Sequence, residues 1–164
     1  MIDATRLTAG GRLTIRAARA GDRAFARTLY LAMGRAVLRP AADSDLDWLR
    51  ERFDVVYKRR ESWILCDGPE AAGWVQIEDG DSRVTLHQMH LLPPYRDSGI
   101  GEAIVRELQR QAGHEGKPVH LRVLKGNPAQ ALYARLGFEV TGEDERRYHM
   151  RWQPDADERP AGPA

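Results

Sequence analysis

Two hydrophobic periods alternate along this chain, and the switches between them predict its elements. Leu13-Thr14-Ile15-Arg16-Ala17 alternates with period two, as a half-buried strand does. Phe25, Leu29 and Met33 then recur at four-residue spacing. That spacing predicts a helix from Gly21-Asp22 over 22–36, with those three side chains on its buried stripe. Arg39-Pro40 interrupts the pattern. A second helix is expected over 45–56. Ser44 can cap it, Asp47 gives a weak capping box, and Leu46, Leu49, Phe53 and Val56 face the core. Asp43, Asp45, Asp47 and Glu51 read first as its solvated face and second as the lining of a pocket for a cationic substrate.

Strand-like runs follow at 62–67, 73–79 and 83–92. Asp67-Gly68 and Asp79-Gly80-Asp81 supply turns between them, so an antiparallel meander is expected. Helix 99–113 carries Ile100, Ile104 and Leu108 on one stripe and a Glu102–Arg106 pair facing outward. Strand 118–125 puts Val119, Leu121 and Val123 on one face. Asn127-Pro128 is a strong helix start, and Gly137 ends that helix in a left-handed cap. Phe138–Thr141 and Arg147–Trp152 close the order as a hairpin. The sequence β-α-α-β-β-β-α-β-α-β-β predicts an α/β fold with one mixed sheet.

Composition narrows this picture without changing it. The 164 residues suit one domain, expected over 1–152, with a disordered Pro-, Asp-, Glu- and Ala-rich tail over 153–164. Hydrophobic residues make up 42% and charged residues 30%, as in a soluble globular chain. The net charge of +1 is too balanced for a bulk partner such as nucleic acid or an acidic membrane. No apolar run suits a signal peptide or a membrane span. A single cysteine, Cys66, allows no internal disulfide, reads as a core thiol and fits a reducing cytoplasm.

The chemistry concentrates at Leu91-Leu92-Pro93-Pro94-Tyr95-Arg96-Asp97-Ser98-Gly99-Ile100-Gly101. A strand feeds a glycine-containing turn and then a helix. Such a turn leaves several backbone N–H groups unpaired at the positive end of a helix dipole, a site that attracts phosphate. A dinucleotide-binding Gly-x-Gly-x-x-Gly near the chain start and a Gly-x-x-x-x-Gly-Lys-Ser/Thr loop are both absent.

The element order, with Arg96-x-x-Gly99-x-Gly101 after the fourth strand, resembles the GCN5-related N-acetyltransferase (GNAT) superfamily. Asn127-Pro128-Ala129-Gln130-Ala131-Leu132-Tyr133-Ala134-Arg135-Leu136-Gly137-Phe138 is similar to that family's Asn…Leu-Tyr-x-x-x-Gly-Phe block. The resemblance covers roughly residues 13–152. It implies a mostly antiparallel central sheet flanked by helices, with strands 83–92 and 118–124 splayed. It implies acetyl-CoA as cosubstrate. The pyrophosphate would sit on N–H groups of Asp97, Ser98, Gly99, Ile100 and Gly101, with Arg96 adding a charged contact. The pantetheine arm would pair like a strand with Met89, His90 and Leu91, and Asn127 would bond it from the other side.

The resemblance also implies direct transfer of the acetyl group to a primary amine. A lysine-like ammonium has a pKa near ~10.4, so only about one in 10³ is neutral at pH 7 and a base is needed. Tyr133 matches the family's tyrosine acid beside the sulfur. A phenol near ~10 protonating a thiolate near ~8.5 is uphill by about 2 kcal/mol. His87 falls where a serotonin N-acetyltransferase-like enzyme carries a catalytic histidine, and histidine suits proton relay at neutral pH. Thr85 stands where the histone-acetylating branch has its glutamate. Arg122 stands where ribosomal-protein N-terminal acetyltransferases have theirs, which lowers the odds of that activity. On an unbroken strand Thr85, His87, Met89 and Leu91 would share one face. His87 and His90 would then point apart, so no metal is expected; His90, His114, His120 and His149 read as structural or exposed.

The acceptor implied first is a small-molecule amine, with a protein or peptide amine second. A non-catalytic acyl-CoA sensor is the rival, and Tyr133 argues against it. The resemblance leaves room for a homodimer.

Overall fold

A computed structural model describes residues 1–7, 11–38 and 43–155, without the side chains of 43–45. Seven strands form one sheet in the order β1-β2-β3-β4-β5-β7-β6. They are β1 (Thr14–Ala17), β2 (Ser62–Asp67), β3 (Glu70–Asp79), β4 (Val84–Leu91), β5 (Val119–Leu124), β6 (Glu139–Glu143) and β7 (Arg147–Trp152). Four helices accompany them: α1 (Asp22–Leu38), α2 (Asp43–Val56), α3 (Ile100–His114) and α4 (Ala129–Arg135). All neighbours pair antiparallel except β4 and β5. The mixed sheet, the meander and the element order therefore stand as the sequence predicts. No helix among the described residues is long and apolar enough to cross a membrane.

Each sheet face has its own core. On one face Val75, Ile77, Val84, Leu86, Val119, Leu121 and Val123 meet Ile104, Val105 and Leu108 of α3 and Tyr133 and Leu136 of α4. Full burial of each large aliphatic side chain contributes about 1.5–3 kcal/mol. On the other face Ala26 and Leu29 of α1 and Phe53 of α2 cover Ile64, Cys66 and Trp74. Trp74 is fully buried, and its indole N–H donates to Ser62 Oγ at 3.1 Å, so it carries no orphan donor. Cys66 is the buried thiol expected.

Three local expectations shift. The buried stripe of α1 is Ala26, Leu29 and Gly34, with Phe25 and Met33 only half-buried. The reason is close helix packing: a Cβ on Gly34 would come within 2.5 Å of the Leu49 side chain. Helix α2 begins at Asp43, one residue before the serine expected to cap it. Arg39-Pro40 and residues 156–164 of the expected tail lie outside the described residues.

The third shift bears on the site. Gln76 pairs with Gln88 but Ile77 pairs with Leu86, so a β-bulge places His87 between registers. Leu86 and Met89, three residues apart, consequently pack in the same core. The single face expected for Thr85, His87, Met89 and Leu91 does not exist. His87 turns instead toward Glu78 of β3, on the α1–α2 side.

Candidate active site

The parallel β4–β5 pairing stops early. Val84, Thr85 and Leu86 match Val119, His120 and Leu121, and no pairing continues beyond them. From His87 onward β4 holds only β3, so its other edge is open. The splay opens a cavity of about 420 Å³ that reaches both sides of the sheet. Tyr133 lines it from α4, Met89 and Gln88 from β4, and Trp48 and Arg52 from α2.

The glycine loop begins where β4 ends. Tyr95 donates to Asp67 Oδ2 at 3.0 Å, which ties the Pro93–Tyr95 turn to the end of β2. Asp67 is held below the usual carboxylate range by the hydrogen bond from Arg12 and then by that from Tyr95. Asp97 and Gly99 both take left-handed conformations, with φ of 54° and 80°. The amides of Asp97, Ser98, Gly99, Ile100 and Gly101 donate to no backbone carbonyl. A Cβ on Gly99 would meet nothing within 4 Å, so open space lies above the loop. Gly101 differs: a Cβ there would touch Met89 and Leu132, packing beneath the loop. The loop thus presents free N–H groups at the α3 N-terminus, a cradle suited to a pyrophosphate.

Arg96 and Asn127 both already have partners within the chain. Arg96 Nε donates to Leu91 O at 2.9 Å, so part of its guanidinium closes the loop on β4. Asn127 Oδ1 accepts from Ala129 N at 2.9 Å and caps α4, although the residue also lines the cavity. Its amide NH₂ is the part left for a ligand.

Tyr133 is buried on α4, its ring 5.7 Å from that of Phe138. Gln109 of α3 donates to Leu136 O at 2.8 Å and fixes the end of that helix. Gly137, at φ 87°, then turns the chain as expected. Burial alone pushes the Tyr133 phenol above its ordinary pKa. It therefore carries its proton throughout the neutral range.

His87 Nε2 lies 2.8 Å from Glu78 Oε2. The hydrogen bond to His87 is the main cause that holds the Glu78 carboxyl below its ordinary value. Glu61 brings a carboxylate oxygen within 4.8 Å of both groups. The spacing-based pairing of His87 with His90 missed these carboxylates, since they come from β3 and from the turn before β2. Strand register could have found Glu78, which sits opposite Thr85.

His90 has the structural role expected of it. It is buried and stacks on Trp74 at 5.4 Å, and its Nε2 lies 2.7 Å from Gln88 Oε1. Burial, helped by the charge of Arg96, lowers its pKa to about 4, so the ring is neutral at pH 7.

The acetyltransferase (GNAT) family model matches residues 25–138, and the chain belongs to that family. PaiA N-acetyltransferase from Thermoplasma acidophilum, solved with coenzyme A, shares the fold with a TM-score of 0.70 at 16% identity. That match covers 86% of this chain and 98% of that one. Apo YjaB from Escherichia coli gives 0.67 at 15% identity, over 87% and 99% of the two chains. A ribosomal-protein-alanine N-acetyltransferase from Escherichia coli gives 0.61 at 20% identity, over 86% and 93%. No curated protein matches the chain by sequence. The family makes this chain an acyltransferase with a CoA-type donor.

Proposed function

We propose that this protein moves the acetyl group of acetyl-CoA directly onto a primary amine of a small molecule. The supporting observation is Tyr133, a buried phenol whose hydroxyl has no protein hydrogen bond among the described residues, set on the wall of the splayed cleft. The ring is buried while the hydroxyl opens to the cavity, free to bond a ligand there.

The roles follow from position. The loop amides of 97–101 hold the donor's pyrophosphate. The open β4 edge at Met89, His90 and Leu91 offers backbone groups to its amide-bearing arm. His87 accepts a proton from the acceptor ammonium, directly or through water. Glu78 orients the imidazole and balances its charge once protonated. The amine nitrogen then bonds to the thioester carbon, and the carbon–sulfur bond breaks. Tyr133 donates its proton to the departing sulfur, and the second proton shed by the attacking nitrogen restores the phenol through water. Its raised pKa makes a full proton transfer steeper than the value for free groups. A thiolate forming in the same desolvated cleft is raised as well, so the difference between the two is partly preserved.

Replacing Tyr133 with Phe tests this reading. Turnover is expected to fall by about 10²- to 10³-fold while acetyl-CoA affinity holds. Unchanged turnover would remove Tyr133 as the acid. Loss of affinity instead of turnover would make it a binding residue, as in a non-catalytic sensor.

A further inference from the structure

The acceptor side of the cavity is built unlike the donor side. Arg52 of α2, Arg83 of the β3–β4 turn, Arg122 of β5 and Arg147 of β7 line it, whereas Glu78 is the one carboxylate among its described lining residues. The chain as a whole has a net charge of only +1, so this is a local concentration of positive charge. Glu78 is already bonded to His87, and Arg147 is paired with Asp144 at 3.1 Å. Arg52, Arg83 and Arg122 make no ion pair among the described residues. Arg52 stands out because its Nε is buried with no hydrogen-bond partner. An unpartnered, desolvated guanidinium N–H is costly, and a planar two-oxygen anion satisfies that fork best.

We propose that the acceptor amine carries a carboxylate, and that Arg52, assisted by Arg122, binds it. The proposal rests on the acetyltransferase reading and names the substrate class of that same site. The positive field is visible in two neighbours. Burial raises the Tyr30 phenol, while the charges of Arg52 and Arg147 oppose that shift. Burial lowers His120, and the charges of Arg83 and Arg151 add to it. Such a field also disfavours the ammonium form of the acceptor, which helps deliver the neutral amine that must attack. A carboxylate four or so bonds away offsets the field's repulsion as the substrate enters.

The test uses the full chain and a set of amines of two to six carbons. Each is supplied as the ω-amino carboxylate, its methyl ester, the plain alkylamine and the aminoalkyl phosphate. Acetyl transfer is followed by CoA release, and each compound is also titrated calorimetrically into the free and the CoA-loaded protein. The carboxylate is expected to exceed its ester by about tenfold or more in kcat/KM, or in affinity where turnover is absent. That ratio should fall toward one in Arg52→Gln, and part of the way in Arg122→Gln should the first variant fold poorly. Preference for esters or plain amines, preference for the phosphate, binding of none of the set, or a ratio untouched by both variants would overturn the proposal. Failure of acetyl-CoA to bind would instead sink the acetyltransferase reading, because anion recognition by the free protein is read separately.

Discussion

The two walls of the splayed cleft are built in opposite ways, and in the proposed function one takes the donor and the other the acceptor. The donor wall is made of backbone: free amides over 97–101, two left-handed residues and the open edge of β4. The acceptor wall is made of side chains drawn from α1, α2, β3, β4, β5 and β7. A backbone cradle depends on local conformation, so a short motif specifies it. A side-chain wall depends on tertiary packing, so no contiguous stretch encodes it. The contrast explains how one fold can keep its donor while its acceptor varies.

Gly99→Val should break the donor wall most severely. A β-branched residue at φ 80° is strained by roughly 1–2 kcal/mol, and its methyls would occupy the open space above the loop. Acetyl-CoA affinity is expected to drop by about tenfold or more, while thermal unfolding moves by only a few degrees. Retained affinity would show that the loop amides are not the anchor.

Glu78→Gln probes the acceptor wall more gently. Glu78 holds the His87 ring through a 2.8 Å contact, so its removal should lower kcat/KM by loosening that ring. The rate loss at neutral pH should stay well below the roughly 10²-fold that general-base catalysis supplies. An unchanged kcat/KM would exclude Glu78 from positioning the base.

Glu107→Gln should touch neither wall. The hydrogen bond from Arg110, followed by that from Gln111, holds Glu107 at a pKa of about 2, below its ordinary 4.5. A carboxylate depressed by folding stabilises fully above its unfolded pKa, and that contribution is lost as pH falls toward the folded value. The variant should therefore lose stability at pH 7 and show a flatter decline between pH 4.5 and about 2. Denaturant unfolding across that window reads it, and acetyl-CoA affinity should not change.

The same contrast governs what the sequence made legible. The glycine loop, the Asn127 cap, the left-handed Gly137 and the Tyr133 position are all local features, and each sits where its pattern placed it. The β4 bulge left no such mark. Leu86-His87-Gln88 contains no glycine or proline, and strict alternation carried His87 and Met89 to one face in error. The α1 stripe misled for a related reason. Periodicity weights large apolar side chains, whereas tight packing buries Gly34 against Leu49 and Ala26 in the core with Phe53 and Trp74. Arg52 was invisible because only packing brings α2 to the cavity, whereas Glu78 needed only the β3–β4 register.

The proposed function requires the loop between β4 and α3 to anchor an acyl-CoA through its pyrophosphate. Calorimetric titration with acetyl-CoA beside acetyl-pantetheine, which lacks the pyrophosphate, tests it directly. Micromolar binding of acetyl-CoA is expected, with binding of acetyl-pantetheine weaker by about tenfold or more. Equal affinity for the two, or no binding of either to the folded protein, would contradict it.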